Sequence, residues 1–274
     1  MPDARRRPYR RPVAAVPKAA MAAPTVPDAE LRDLLAAIGA ADSVELKLTV
    51  PDGERRSAVT ALGLDPLDAQ LRQIWFLDTA TLDLDTGGVV ARVRRIQGRP
   101  HDSVVKLRPV VPDRLDEGLR RSPNFEVEVD AMPGGHTCSA SLKGRVGPTA
   151  VLDAVAGRRA VRKLFSREQR AFFEAHAPPG LHLDDLSFLG PINVLKLKCR
   201  PPGLDRRLAV ELWFYPDGSR IMELSTRCRP DEAFQVAAEA RVALSELGID
   251  LTGEQQTKTR MALTYFSREL LGVG

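Results

Sequence analysis

The chain has 274 residues, of which 43% are hydrophobic and 28% charged; that is ordinary for a globular protein and enough for one large domain or two modest ones. No run of 18 apolar residues occurs, which argues against a membrane span. The net charge of +4 sits in the first 27 residues, where five Arg and one Lys stand against one Asp and leave residues 28–274 at −1.

Residues 1–27, rich in Pro, Ala and Arg, read as a disordered basic tail rather than a secretory signal, because Pro17, Lys18, Pro24 and Pro27 interrupt the apolar stretch. Such a tail can touch nucleic acid or an anionic surface, whereas the near-neutral remainder argues against nucleic-acid binding by the body. Leu31, Leu34, Leu35 and Ile38 give residues 28–41 a helical spacing, with Asp28 as cap. Strands are expected at about 43–50, 72–78, 89–97, 103–110 and 124–130, with turn signals at Pro51-Asp52-Gly53 and Thr86-Gly87-Gly88. A helical stretch follows at 150–155 and 162–176, with Ser166 as a cap before Glu168-Gln169, and Pro178-Pro179-Gly180 closes it. Strands resume at about 192–199, 207–215 and 220–227, the last two joined by a Pro216-Asp217-Gly218 hairpin turn. Residues 230–247 form an amphipathic helix with Phe234, Val236, Ala237, Ala240 and Leu244 on its buried side, and Thr257-Lys258-Thr259 leads into a last helix ending near Leu271. The order predicts an α+β fold: one domain over 28–274 made of two similar halves, with a helical linker at about 150–178.

Cys138, Cys199 and Cys228 are widely spaced without a CxxC pair, so neither a disulfide framework nor a zinc site is indicated, and a reducing cytoplasm is the expected location. The four histidines read as surface or packing residues, and Trp75 and Trp213 as core.

Charged residues recur two apart, as in Glu45-Leu46-Lys47, Arg92-Val93-Arg94, Lys106-Leu107-Arg108, Glu126-Val127-Glu128 and Lys196-Leu197-Lys198. That spacing puts both charges on one face of a strand and the apolar residue between them on the other. A solvated antiparallel sheet alternates in the same way, but such a strand usually mixes its polar residues. Here Arg92/Arg94 and Glu126/Glu128 are each of one sign, and like charges side by side repel unless something lies between them. A closed sheet with these faces inward would surround one cavity with cations and carboxylates, which suits a polyanion with its metal ions.

The run from Glu45 and Lys47 through Phe76-Leu77-Asp78-Thr79, Leu82, Leu84, Gly87-Gly88, Arg92-Val93-Arg94 and Lys106 to Glu126-Val127-Glu128 resembles the CYTH superfamily, the triphosphate tunnel metalloenzymes. The resemblance continues more loosely through Lys196, Lys198, Arg200, Glu211, Glu223 and Lys258, and the stretch from Leu164 to Arg170 resembles the helical linker of some bacterial members. It implies an eight-stranded antiparallel β-barrel whose inward side chains hold a triphosphate and one or two divalent ions, Mg²⁺ or Mn²⁺. Glu45, Lys47, Glu126 and Glu128 would be catalytic; Lys47, Arg92, Arg94, Lys106, Lys196, Lys198, Arg200 and Lys258 would bind phosphate; Glu45, Glu126, Glu128, Glu211 and Glu223 would hold metal. The implied partner is a triphosphate-containing small molecule or polyphosphate, with no membrane. The implied activity is triphosphate hydrolysis, the alternatives being a non-catalytic polyphosphate- or nucleotide-binding protein and a class IV-type adenylate cyclase. The family's first strand carries Glu-x-Glu-x-Lys; this chain has Ser43-Val44-Glu45-Leu46-Lys47, with a hydroxyl for the first carboxylate, and Glu223-Leu224-Ser225 likewise ends in Ser.

Overall fold

Alternating apolar and charged residues shape the whole molecule: each strand turns its apolar residues outward beneath covering helices and its charged residues into the centre of a closed barrel. The structure, a computed structural model, describes residues 28–249 and 258–272; the basic tail, the Asp28 side chain and Thr257 lie outside the described residues. In chain order the elements are α1 (Asp28–Ala40), β1 (Ser43–Val50), α2 (Arg55–Ala61), β2 (Gln70–Asp78), α3 (Asp83–Thr86), β3 (Val89–Ile96), β4 (His101–Leu107), α4 (Glu117–Arg120), β5 (Phe125–Met132) and β6 (Gly135–Val146). They continue with α5 (Ala150–Val155), α6 (Arg167–His176), β7 (Ser187–Cys199), β8 (Leu208–Phe214), β9 (Arg220–Cys228), α7 (Ala233–Glu246) and α8 (Lys258–Leu271). Among the described residues no helix is long and apolar enough to cross a membrane.

The barrel closes in the order β1-β5-β6-β4-β3-β2-β7-β8-β9. It therefore has nine strands in a mixed arrangement, a correction to the expected eight antiparallel ones. The additional strand is β6, and its presence dictates the rest. An odd number of strands cannot alternate in direction around a closed ring, so one neighbouring pair must run parallel. That pair is β1 with β5, in the register Ser43↔Glu128 and Glu45↔Asp130.

Three apolar layers cover the barrel. Val127, Val129, Ala140 and Leu142 pack with Phe172 and Phe173 of α6. Ile74, Phe76, Ile192 and Val194 meet Ala262, Leu263 and Phe266 of α8, and Leu48, Val50, Val210 and Leu224 meet Ala58 of α2 and Leu244 of α7. In α7 the buried residues are Ala233, Val236, Ala243 and Leu244, whereas Phe234 and Ala237 are exposed, so the buried stripe is rotated from the one expected.

Helix α6 adds polar contacts to this apolar packing. Ser166 caps α6 in a capping box with Gln169. The same Gln169, fully buried, accepts from Ser103 Oγ at 2.9 Å and donates to the carbonyls of Ser103 and Leu142 at 3.1 and 3.0 Å. Gly144 leaves room for it, since a Cβ there would lie 2.3 Å from Gln169 Oε1. Strand β7 begins at Ser187, five residues before the start expected from sequence, and bulges past β2, where a Cβ on Gly190 would meet the Ile74 carbonyl at 2.7 Å.

Candidate functional site

All nine strands contribute side chains to one central cavity of about 220 Å³, and α8 adds Lys258 and Thr259. Its volume falls below the roughly 300–1,000 Å³ of an ordinary small-molecule pocket, and its wall is charged rather than apolar. Ten Lys and Arg side chains line it against five carboxylates. An excess of cations in a confined space favours an anion that neutralises them.

One corner is acidic. The parallel pairing of β1 and β5 brings Glu45 beside Glu128 and Asp130, and one ligand oxygen from each lies within 4.8 Å of the others. Lys47 Nζ donates to Asp130 Oδ1 at 2.6 Å and pairs with Glu45 Oε2 at 3.0 Å. Asp130 Oδ2 is buried and, among the described residues, accepts no hydrogen bond; Lys106 Nζ stands 3.5 Å and Arg108 Nη2 3.9 Å away. Burial opposes ionisation of Asp130, yet Lys106 and Lys47 outweigh it and hold the carboxyl below its usual range. Glu45 is also lowered, with burial opposing and Lys47 prevailing. Glu128 goes the other way: burial first, then the neighbouring Glu45 and Asp130, push its pKa up. Oxygen donors, charge and an orphaned buried carboxylate oxygen together fit a hard divalent cation such as Mg²⁺ or Mn²⁺.

The opposite side is basic. Arg92 and Arg94 lie two apart on β3 and both face inward, as expected. Arg94 forks onto Asp102, at 2.8 Å from Nε and 2.5 Å from Nη2. Arg92 has no ion pair or hydrogen bond among the described residues, and its Nε is buried without a partner. Burial and the like charge of Arg94 lower its pKa to about 10, so it remains a cation near neutrality. Lys106 is lowered by burial too.

Two expected metal-ligand candidates are engaged by lysines instead. Glu211 accepts from Lys196 and Lys258 at 2.8 Å each and from Trp213 Nε1 at 3.2 Å, while Glu223 pairs with Lys258 at 2.6 Å. Their cations hold Glu211 well below the usual carboxylate range against burial, whereas burial leaves Glu223 raised. Trp213 is buried in the core as expected and also lines the cavity, with Lys258 Nζ 4.9 Å from its ring centroid.

The rim accounts for the remaining candidates. Glu126 sits at the mouth rather than in the acidic corner: Ser43 Oγ donates to its Oε1 at 3.0 Å, Arg227 Nη1 to the same oxygen at 2.5 Å, and Lys143 to Oε2. Lys198 is exposed and lines a groove at the rim with Lys196, Arg207 and Arg227. Arg200 is corrected: β7 ends at Cys199, so the alternation stops before it, and its side chain is 63% exposed beside Asp205. The expected list omitted Asp130, Arg72, Arg108, Lys143 and Arg227, all of which line the cavity. Asp130 continues the period of Glu126 and Glu128, and Arg227 that of Glu223 and Ser225, which is the signal that identifies them.

No family model matches the chain, and no curated protein matches it either. Solved structures do. HpAC1 from Hippeastrum, a proposed adenylyl cyclase described as revealing a dominant triphosphatase activity, superposes with a TM-score of 0.59 at 18% identity, covering 81% of this chain and 95% of its own. A proposed adenylate cyclase from Bacillus halodurans gives a TM-score of 0.56 at 12% identity, covering 80% of this chain and 97% of its own. The chain has the CYTH fold. Within the CYTH fold the inward charged faces are what the alternation in the sequence anticipated, and the additional strand β6 is accommodated by the parallel seam between β1 and β5.

Proposed function

We propose that the chain is a divalent-metal-dependent triphosphatase acting on inorganic tripolyphosphate or an organic triphosphate inside the tunnel. The observation that carries this reading is the partition of one small cavity into a basic wall at Arg92, Arg94 and Lys106, of which Arg92 has no partner among the described residues, and an acidic corner at Glu45, Glu128 and Asp130. The triphosphatase activity described for HpAC1 supports it. Arg92 receives phosphate oxygens through parallel N–H donors, Arg94, whose Nε and Nη2 are held by Asp102, adds Nη1, and Lys106 and Lys196 add point charges. Glu45, Glu128 and Asp130 hold Mg²⁺ or Mn²⁺, which when bound neutralises charge developing on the transferred phosphoryl group. A water then attacks the terminal phosphorus, the bond to the bridging oxygen breaks, and diphosphate leaves. The proton of that water passes to a phosphate oxygen of the substrate, because both Glu128 oxygens are engaged, Oε2 by Arg227 and Oε1 in the acidic corner. Lys47 keeps Asp130 and Glu45 in place from the floor of the corner.

The test is phosphate release from tripolyphosphate, ATP and thiamine triphosphate, with Mg²⁺, with Mn²⁺ and with a chelator. Metal-dependent release from at least one of the three is expected. A second reading, binding without turnover, is favoured by the lysine pairing of Glu211 and Glu223, which leaves a single acidic corner. Tight tripolyphosphate binding with no release under any metal would establish that reading in place of the first.

A further inference from the structure

The carboxylates of the tunnel and its mouth fall into three groups, all paired with cations, and among the described residues only the third, Glu45, Glu128 and Asp130, keeps a buried carboxylate oxygen without a hydrogen bond. Glu211 and Glu223 are taken by Lys196 and Lys258. Glu126 has both oxygens engaged, one by Ser43 and Arg227 and the other by Lys143. Arg227 reaches across the mouth from β9 and forks, with Nη1 on Glu126 Oε1 and Nη2 on Glu128 Oε2. A planar guanidinium with two parallel N–H donors occupies the lone pairs that would otherwise face a second metal ion between these two glutamates. Glu128 is thereby divided: Oε2 is given to Arg227, while Oε1 has only Lys106 Nζ, at 3.8 Å, and remains for the corner shared with Glu45 and Asp130. The orphaned Asp130 Oδ2 lies in that corner and not at the mouth.

We propose that Arg227 is a resident cation bridging Glu126 and Glu128, and that it limits the tunnel to one divalent ion, held by Glu45, Glu128 and Asp130. This rests on the metal-dependent reading above and goes beyond it by fixing the number of ions and the residue that sets it. Placing Ser at position 43, whose hydroxyl donates to Glu126 rather than adding a third carboxylate to the mouth, belongs to the same arrangement. A divalent ion and a fixed guanidinium on the same oxygens repel each other, so removing the guanidinium should open a second position lined by Glu126 and Glu128.

The experiment is Mn²⁺ binding to the full chain, followed by electron paramagnetic resonance and equilibrium dialysis with no substrate present, so that the readout is stoichiometry rather than activity. Wild type is expected to bind one Mn²⁺, Arg227→Gln two, and Arg227→Lys one, because the ammonium keeps a positive charge at the mouth. The double variant Glu126→Gln/Arg227→Gln is expected to return to one, since the new position has lost a ligand. Melting curves of all four identify any variant that fails to fold; should Arg227→Gln be one, Arg227→Met takes its place and is likewise expected to bind two. Two ions on wild type, or one ion on both wild type and Arg227→Gln, overturns the role of Arg227 and leaves the metal-dependent reading intact. No Mn²⁺ on wild type overturns both.

Discussion

Arg92 places a charge where the folded protein gains nothing from it until an anion arrives. Replacing it with Met keeps most of the aliphatic stem and removes the guanidinium. Its pKa falls to about 10 on folding, chiefly through burial and then through Arg94; against the usual arginine value that corresponds to roughly 3 kcal/mol of strain on the charged form. The side chain is only half-buried, so screening reduces the figure, and Arg92→Met is expected to gain about 1–3 kcal/mol of stability. For a chain of this size that is a rise in melting temperature of about 2–10 °C. The sign is that of a cation whose folded pKa lies below the unfolded one: wild type bears the cost throughout the neutral range and sheds it only as pH rises through about 10. The gain should therefore be level between about pH 6 and 9. Charged hydrogen bonds to phosphate are worth about 1.5–3 kcal/mol, so tripolyphosphate affinity by calorimetry should drop roughly 10–150-fold. Lower stability in the variant, or unchanged tripolyphosphate affinity, would refute the assignment of Arg92 as an unpaired phosphate-binding cation.

Asp102, held below its usual range by Arg94 against burial, contributes stability above about pH 4 that is lost as pH falls through its lower folded value; Asp102→Asn should cost roughly 2 kcal/mol at neutrality, with the deficit from urea titration vanishing in acid. Lys258→Met strands Glu223 and leaves Glu211 with Lys196 and Trp213, and should cost about 3 kcal/mol in the same assay. Gly144→Ala pushes a methyl against Gln169 and should cost about 1–3 kcal/mol, with loss of helical protection in α6 visible by hydrogen exchange. Arg200→Ala should leave tripolyphosphate affinity unchanged, because its side chain stands in solvent outside the tunnel.

Period-two charge spacing made the inner faces of β1, β3, β4, β5 and β7 legible, because a strand has no other way to place residues two apart. Strand β6 was missed since Cys138, Ser139, Ala140 and Ser141 are small and weakly apolar, although they alternate inward Ser with outward Cys and Ala. Arg200 enters the candidate set through the looser part of the family resemblance, although the strand expected from sequence ends at residue 199 as β7 does, and Glu126 is misplaced because period alone does not tell depth along a strand. Its depth follows from the register with β1, where Glu128 and Asp130 rather than Glu126 fall opposite Ser43 and Glu45. The buried stripe of α7 was misjudged at Phe234, which composition favours as core and the helix turns to solvent. The partnerships of Arg227 and Lys258 depend on contacts between strands and helices far apart in sequence, and no local signal carries them.

The parallel seam also constrains how the molecule is assembled. Strand β1 is made first but must wait for β5 on one side and β9, the last strand, on the other. Until β9 leaves the ribosome, β1 has an unpaired edge, and pairing at such sequence separation is slow and exposed to aggregation. Because Glu45 belongs to β1 and Glu128 and Asp130 to β5, the acidic corner exists only once that parallel seam has formed, whether or not β9 has yet closed the ring. Metal affinity is thus acquired with the β1–β5 seam, so a chain misregistered there has no means of assembling the corner.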